Sequence, residues 1–248
     1  MISKNKLKEL AAYRQQRRCD EEAVFVVEGP KLCAEALASG FAIRAVCATE
    51  EWIAESEERR VKSGEFYEVS QAELERLSNM KTPNQVWMLV ERKVERGKRK
   101  VENGKLVLAL DKIQDPGNMG TIMRTADWYG IRHIVCSHDT VSCYNPKVVQ
   151  ASMGAVFRTK VDYVDLPQWL AGCGMQVFGA SLQGQPLADN RSLLTTEAVL
   201  LIGNESRGIS PEAMEHVTNP VLIPNIGGTA ESLNASVAAA ILIDRLIG

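Results

Sequence analysis

Apolar residues follow two kinds of spacing along the first ninety residues. Short apolar runs predict strands over residues 23–27, 43–48 and 87–90, while apolar residues at helical spacing predict helices over 32–37 and 71–77. Gly29-Pro30 marks a sharp turn after the first strand. We therefore expect this part of the chain to form a small α/β domain.

Beyond residue 105 strands and helices alternate more regularly. The run from Leu106 to Leu110 is continuously apolar, which is typical of a parallel strand buried on both faces. Further strands are predicted over 134–136, 177–180, 199–202 and 221–223, with helices over 119–129 and 146–153, after Ser210-Pro211 and after Asn234. The sequence thus predicts an α/β fold with a mostly parallel sheet.

A charged stretch separates the two parts. Residues 91–100 are rich in Lys and Arg, and the turn-forming Glu102-Asn103-Gly104 follows them. We expect a first domain over 1–92, a basic linker over 93–104 and a second domain over 105–248. A chain of 248 residues is long enough for two domains.

The formal net charge of −2 gives no overall basic character of the kind that often marks nucleic-acid binders. Locally, the first eighteen residues carry six Lys or Arg against one acid, and residues 92–100 form a second basic cluster. Each cluster is either a phosphate-contacting patch or an ordinary solvated segment. No apolar run is long enough to cross a bilayer and no signal-peptide core opens the chain, so we expect a cytoplasmic protein without membrane association.

The cysteines and histidines are scattered and lack metal-ligand spacing, so no metal site is predicted. We expect the cysteines to be reduced and mostly buried, with a catalytic thiol at Cys136 or Cys143 as the alternative. No histidine is assigned to chemistry.

Polar residues follow the ends of several predicted strands near the C-terminus. Glu205 lies in the turn from Gly203 to Gly208, and Ser232 and Asn234 open the last helix. Open parallel sheets bind ligands at the carboxyl ends of their strands. The turn matches neither a dinucleotide-binding nor a P-loop pattern, and Glu205 suits a cationic or hydroxyl-rich ligand, unless it is only a solvated turn residue.

Asn118 and Arg124 lie six positions apart on one predicted helix, and we expect them at neighbouring azimuths. The arginine would then direct a planar cation at an anion or a hydroxyl. The alternatives are a helix cap at Asn118 and a surface ion pair at Arg124.

Taken together, these segments resemble the SpoU (TrmH) family of ribose 2′-O-methyltransferases in the SPOUT class. Asn118-x-Gly120-x-x-x-Arg124 resembles the first family motif, Gly203-x-Glu205-x-x-Gly208 the second, and Ile223-Pro224 with Ser232-Leu233-Asn234 the third. Residues 144–147 and 151–155 resemble the segment between the first two motifs. The first domain resembles the family's small substrate-binding domain through residues 25–32.

The resemblance implies a trefoil-knotted C-terminal domain, S-adenosylmethionine as cofactor, RNA as substrate and a homodimer. It implies catalytic roles for Asn118, Arg124, Glu205, Ser232 and Asn234. It also implies cofactor contacts from a second set of residues, namely Ile202, Gly203, Gly208, Ile223, Pro224 and Leu233. Arg124 is either a base with a perturbed proton affinity or a cation that orients the substrate and stabilises the developing alkoxide.

Three departures from the family pattern concern the cofactor pocket. The loop between Pro224 and Ser232 has one extra residue, Asn225 stands where Met is common, and Ala235 stands where Val is frequent. Ribosomal RNA is favoured over transfer RNA by analogy with relatives that carry the extra domain. A catalytically inactive RNA-binding protein and a base-nitrogen methyltransferase are the alternatives, and the polar motif residues argue against both.

Overall fold

The computed structural model describes residues 2–55, 64–93, 106–187 and 197–247. These residues form two compact units. One unit takes the described part of Met1–Gly97 together with Tyr144–Phe157. The other takes the described parts of Lys98–Cys143 and Arg158–Gly248.

The described residues contain both helices and strands, numbered in chain order. The helices are α1 Lys4–Ala11, α2 Gln16–Glu21, α3 Pro30–Ala38, α4 Glu50–Ala54, α5 Gln71–Leu77, α6 Pro116–Trp128, α7 Pro146–Ser152, α8 Leu166–Gly172, α9 Pro211–Met214 and α10 Ala235–Ile247. The strands are β1 Val24–Glu28, β2 Ile43–Ala48, β3 Glu65–Glu68, β4 Val86–Glu91, β5 Leu106–Leu110, β6 His133–Ser137, β7 Lys160–Val164, β8 Gln176–Pro186, β9 Ala198–Ile202 and β10 Asn219–Leu222. Short 3-10 turns cover Ala12–Arg14 and Ala155–Phe157.

The first unit is built on a four-stranded sheet in the order β1-β4-β2-β3. Strand β4 runs antiparallel to both β1 and β2, and β3 lies parallel to β2. Trp87 in β4 is fully buried and lies opposite Glu28 and Cys47. Helices α1 and α5 contribute Leu10 and Leu74 to the same core.

An aromatic cluster joins the segment Tyr144–Phe157 to this first sheet. The ring of Phe25 in β1 lies 4.7 Å from that of Tyr144 and 6.0 Å from that of Phe157, measured between centroids. Phe41 packs edge-on against both Phe25 and Phe157. Such contacts contribute beyond the burial of area, which explains why a segment distant in sequence belongs to this core.

The second unit contains a six-stranded sheet in the order β10-β8-β9-β5-β6-β7, with every neighbouring pair parallel. The central strands β5 and β9 are buried at every position, as their continuous apolar runs predicted. Leu110 lies opposite Ile202, so these two strands end side by side. The segments that follow them therefore begin at one edge of the sheet, where the candidate site lies.

The predicted strands and helices of the second unit are present, with end points that differ by a few residues. The residue pattern missed several elements: α1, α2, α4, α8, β3 and β7. Strand β7 is an edge strand with Lys160 and Asp162 among its residues, and half-buried positions give little apolar pattern. None of the described helices is long and apolar enough to span a bilayer.

Most of the predicted linker at 93–104 lies outside the described residues. The segment Tyr144–Phe157 belongs to the first compact unit, although it lies inside the predicted second domain. The domain boundaries therefore stay a prediction.

The central strand offers a test of where stability resides. Leu108 is fully buried in β5 between Ile134 and Leu200. We expect Leu108→Ala to lower the free energy of unfolding by about 2–5 kcal/mol, because it removes buried methyl groups and leaves a cavity. Urea denaturation followed by circular dichroism measures the change.

Leu182→Ala is the matched control, since Leu182 is 70% exposed. Its expected effect is within about 0.5 kcal/mol. Equal losses for the two variants would contradict the assignment of the core to β5.

Candidate functional site

One carboxylate oxygen, on Glu205 of the second motif segment, accepts hydrogen bonds from the first and the third segments. Glu205 Oε1 accepts a hydrogen bond from Asn118 Nδ2 at 2.6 Å, a second from Asn234 Nδ2, and a third from the backbone N–H of Ala235 at 3.4 Å. Asn234 Nδ2 also donates to Asn118 Oδ1 at 2.9 Å. The predicted convergence of Asn118, Glu205 and Asn234 is therefore present.

Asn234 has two roles in this network. Its Oδ1 caps α10, accepting from the Ser236 N–H at 3.0 Å, the Ser236 hydroxyl at 2.6 Å and the Val237 N–H at 3.4 Å. Its Nδ2 is thereby turned toward Glu205 and Asn118. The start of α10 and the position of the carboxylate are set by the same side chain.

Asn118 lies in the first turn of α6 and is buried. Asp115 caps that helix by accepting from the backbone N–H of Asn118 at 2.8 Å, and Pro116 occupies the first turn. The capping residue Asp115 thus lies three positions before Asn118, and its hydrogen bond fixes the direction in which the Asn118 side-chain amide enters the site.

No described residue donates to Glu205 Oε2, and Glu205 as a whole is exposed. One face of the carboxylate is therefore held by the protein, while the other is free to accept hydroxyl groups or to face a positive charge. This division suits the cationic or hydroxyl-rich ligand expected from the sequence.

The turn after β9 is closed by its own backbone. Asn204 and Gly208 exchange two backbone hydrogen bonds of 2.9 and 2.8 Å. A Cβ on Gly203 would lie 2.2 Å from the carbonyl carbon of Gly208 and from the amide nitrogen of Ile209. Gly203 is needed because two stretches of backbone pass closer than any side chain permits.

Two residues that sequence reasoning missed hold this turn to neighbouring strand ends. Asn204 Nδ2 donates to the carbonyl of Lys112 at 2.9 Å, and Asp111 Oδ2 accepts from the N–H of Ser210 at 2.7 Å. Asp111 is buried directly after β5, and a buried carboxylate at a strand end was the available indication.

The residues expected to contact the cofactor surround the same edge. Ile202 is the buried end of β9, while Ile223 and Pro224 are half-buried directly after β10. Gly208 closes the turn with a φ of 68°, and Leu233 is exposed just before Asn234. Backbone groups and apolar side chains therefore flank the polar cluster.

Ser232 is exposed, and no described residue forms a hydrogen bond with its side chain. The longer loop before it is ordered by Asn225, whose Nδ2 donates to the carbonyls of Gly228 at 3.0 Å and Ala230 at 3.2 Å. Asn225 Oδ1 accepts from the Gly228 N–H at 2.7 Å. Asn225, which stands where Met is common in the family, thus supplies hydrogen bonds that stabilise the loop with the extra residue.

The expectation that Asn118 and Arg124 share an azimuth is wrong. Asn118 is buried, whereas Arg124 is exposed on α6. Each residue turns a helix by about 100°, so six positions leave the two side chains about 120° apart. Within the described residues Arg124 forms no hydrogen bond or ion pair, which also argues against a surface salt bridge as its role.

The buried cysteines lack the exposure that a reactive thiol needs. Cys136 and Cys143 are both buried, and burial raises the pKa of the Cys136 thiol well above its usual value. Burial likewise raises the pKa of Cys19 to about 11. His133 bonds Asp162 at 2.7 Å, and this contact lowers the pKa of that carboxyl. In the described ranges no His, Cys, Asp or Glu side chains group as a metal site.

Comparison with known proteins adds a family context. Residues 105–244 match the model of the SpoU rRNA Methylase family, and residues 4–87 match the MRM3-like substrate binding domain. The chain is 29% identical to the 23S rRNA (guanosine(2553)-2'-O)-methyltransferase RlmP of Bacillus subtilis, over 98% of this chain and 96% of that protein.

Two solved structures cover nearly the whole chain. A putative RNA methyltransferase of the TrmH family from Porphyromonas gingivalis superposes with a TM-score of 0.87 at 36% identity, over 100% of this chain and 98% of that one. An AdoMet-bound rRNA methyltransferase from Sinorhizobium meliloti superposes with a TM-score of 0.85 at 28% identity, over 99% of this chain and 95% of that one.

The close approach at Gly203 generates a stability prediction. We expect Gly203→Ala to lower the free energy of unfolding by at least about 2 kcal/mol, because the atoms that a Cβ meets are backbone and cannot rotate away. Thermal or urea unfolding of the purified chain gives the value.

Gly172→Ala provides the comparison, since a Cβ there meets nothing within 4 Å and Gly172 ends α8. Its stability should change by less than about 0.5 kcal/mol. A neutral Gly203→Ala would show that the two stretches of backbone do not pass so closely.

Proposed function

Because this chain belongs to the SpoU rRNA methylase family, we propose that it transfers a methyl group from S-adenosylmethionine to a ribose 2′-hydroxyl of RNA, with ribosomal RNA as the favoured substrate. The observation that carries the proposal is the meeting of Asn118, Glu205 and Asn234 at the carboxyl edge of the parallel sheet. The end-to-end similarity to a B. subtilis enzyme named for 23S rRNA 2'-O-methylation supports ribosomal over transfer RNA.

The residues at this edge fit S-adenosylmethionine. Open space lies beside Gly208, where a Cβ would meet nothing within 4 Å, and the apolar Ile223, Pro224 and Leu233 suit a flat base. The outward oxygen of Glu205 suits ribose hydroxyls or a positive charge. We assign cofactor contacts to these residues and to Ile202.

When bound, S-adenosylmethionine supplies an electrophilic methyl group on a positively charged sulfur. The protein must align the attacking 2′-oxygen with that methyl group and assist loss of the hydroxyl proton. Asn118, Asn234 and Glu205 fix one wall of the site, because each holds another in place. Ser232, exposed beside them, is assigned to contact with the substrate or the cofactor.

We assign Arg124 the role of an orienting cation rather than a base. Arginine as a residue type is a poor proton acceptor, and the exposed Arg124 is therefore better suited to orienting the substrate than to taking up the hydroxyl proton. It can bind the 2′-oxygen or an adjacent phosphate and stabilise the negative charge that develops on oxygen. The proton then leaves to water or phosphate.

We further propose that the chain acts as a homodimer through the exposed side of α6 and the neighbouring α10. Thr121, Arg124 and Trp128 are all exposed on α6 at helical spacing, and Trp128 is 85% exposed. Val237 on α10 is 46% exposed. Large apolar side chains of this kind are enriched at protein interfaces, and Arg124 on the same stripe would enter the partner's site.

The remaining parts of the proposal concern organisation and location. We propose residues 1–92 as the RNA-binding domain, 93–104 as a basic linker and 105–248 as the methyltransferase domain, which the two matched ranges support. The trefoil knot that membership of this family implies is part of the proposal. A cytoplasmic location remains a prediction.

Loss of the Arg124 side chain tests the chemistry. We expect Arg124→Ala to reduce methyl transfer at least about 100-fold, because one stabilising group for the developing charge is lost. The dissociation constant for S-adenosylmethionine should change less than about 3-fold. The assay follows transfer of a labelled methyl group to ribosomal RNA, with nuclease digestion to find the alkali-resistant linkage of a 2′-O-methylated ribose.

Arg132→Ala removes another exposed cation of the same unit, one that pairs with Asp127, and should retain activity. Retained activity in Arg124→Ala would remove Arg124 from the mechanism. An alkali-sensitive product would indicate methylation of a base. Binding of the cofactor without methyl transfer would favour an inactive RNA-binding protein. Methylation of transfer RNA but not of ribosomal RNA would change the assigned substrate to transfer RNA.

The proposed dimer is tested at Trp128. We expect Trp128→Glu to shift the chain from dimer to monomer in sedimentation-velocity runs, because a buried unpaired carboxylate opposes association. Methyl transfer should fall in parallel. Leu182→Glu changes an equally apolar exposed residue off these helices and should leave the dimer intact. A fully active wild-type monomer would refute the shared site.

A further inference from the structure

The motif Glu28-Gly29-Pro30-Lys31 plays no part in the chemistry proposed above, yet it organises one corner of the first unit. Glu28 ends β1 and its side chain is buried. It accepts a hydrogen bond from the Ser78 hydroxyl and another from the Asn79 N–H at 3.1 Å. A buried carboxylate that accepts hydrogen bonds from a loop distant in sequence fixes the position of that loop.

The loop is closed on this corner at both of its ends. Asn79 binds the Glu28 carboxylate at one end, and at the other the Gly29 N–H donates to the carbonyl of Val86 at 2.9 Å. The Met80 N–H also donates to Ser78 Oγ at 2.9 Å. Residues 79–85 are thus held against the start of α3. We call Glu28 to Lys31 with the loop 78–86 and Arg14 the Glu28 corner.

Two cations follow closely in sequence the groups that the Glu28 corner holds together, and a third acts electrostatically on its buried carboxylate. Lys31 lies three residues after Glu28, and Lys81 two residues after Asn79. Burial raises the pKa of Glu28, and its hydrogen bonds with Ser78 and Asn79 and the positive charge of Arg14 offset part of that rise. All three cations are exposed, and within the described residues none forms an ion pair.

Several other cations of the first unit are paired with acids. Lys6 pairs with Glu9 and Glu65, Arg17 with Glu21, and Arg92 with Asp20. An acid partner neutralises each of them locally. The exposed cations of the Glu28 corner pair with no described carboxylate, as is also the case for Lys4 and Lys8 on α1.

We propose that the Glu28 corner is a contact surface for the sugar–phosphate backbone of the substrate RNA, with Arg14, Lys31 and Lys81 as its phosphate-binding side chains. This inference rests on the proposed action on RNA and assigns a location to RNA binding. Charge complementarity identifies the occupant: clustered unpaired cations attract a polyanion, and the partly exposed Met80 beside them offers apolar contact to a base.

The test compares two triple variants of the full chain that remove the same charge. The first is Arg14→Ala, Lys31→Ala and Lys81→Ala together. The second is Lys4→Ala, Lys8→Ala and Arg17→Ala, three exposed cations of α1 and α2. The probe is a fluorescein-labelled oligouridine of about 20 nucleotides, and anisotropy gives its dissociation constant at several salt concentrations.

We expect the corner variant to bind the oligouridine at least about 10-fold more weakly, with the slope of log affinity against log salt reduced by about 2 in magnitude, since each lost phosphate contact removes about 0.7. The α1–α2 variant should weaken binding less than about 3-fold. Equal effects of the two variants, or none from the corner variant, would overturn the proposal.

Two further measurements separate this inference from neighbouring ideas. Lys31→Arg with Lys81→Arg should retain wild-type binding, and failure to do so despite an unchanged melting curve would overturn a phosphate role. Polyglutamate that binds as tightly as oligouridine and is lost with the same residues would indicate an acidic protein partner instead. Because oligouridine binding requires no methyl transfer, an inactive wild-type protein would refute the proposed function without deciding this inference.

Discussion

The acceptance of three hydrogen bonds by a single oxygen of Glu205 is the constraint on which the site depends. The donors come from the first turn of α6 and from the residues that open α10, so one carboxylate oxygen ties together segments that follow three strands. Loss of either amide would leave a charged oxygen with fewer donors, and charged groups are costly to leave unsatisfied. The network therefore stabilises the edge of the sheet while it leaves the second oxygen free for a ligand.

The sequence alone could predict this meeting for a definite reason. Continuous apolar runs identify β5 and β9 as buried parallel strands, and parallel strands present their carboxyl ends at one edge. Polar residues placed just after such strands lie along that edge, and they lie close together where the strands are neighbours, as β5 and β9 are. Glu205 follows this rule directly, three residues after β9, whereas Asn234 lies twelve residues after β10 and is brought to the edge by the start of α10. Asn118 follows it because Asp115 and Pro116 start α6 a few residues beyond β5.

Properties that depend on packing could not be predicted from the sequence. The angle between Asn118 and Arg124 follows from the helical rotation per residue, but which of the two faces the protein is shown only by the burial of Asn118 beside the exposure of Arg124. Asn204 and Asp111 act through backbone partners far along the chain, which no local pattern encodes. The packing of Tyr144 against Phe25 is likewise an aromatic contact between residues far apart in the sequence. Short or edge elements such as β7 lack enough buried positions to show a period.

Charge explains why a methyltransferase of this kind benefits from a second compact unit. The chain as a whole is slightly acidic, and the carboxylate of Glu205 would repel phosphate at the proposed position of the ribose. Affinity for RNA must then come from cations that lack acidic partners, since a paired cation contributes little net field. A count of basic residues in the sequence cannot make this distinction, because Lys6 and Arg17 are neutralised in the fold whereas Lys31 and Lys81 are not paired within its described part. The arrangement of ion pairs, rather than basic composition, determines which surface can attract the substrate.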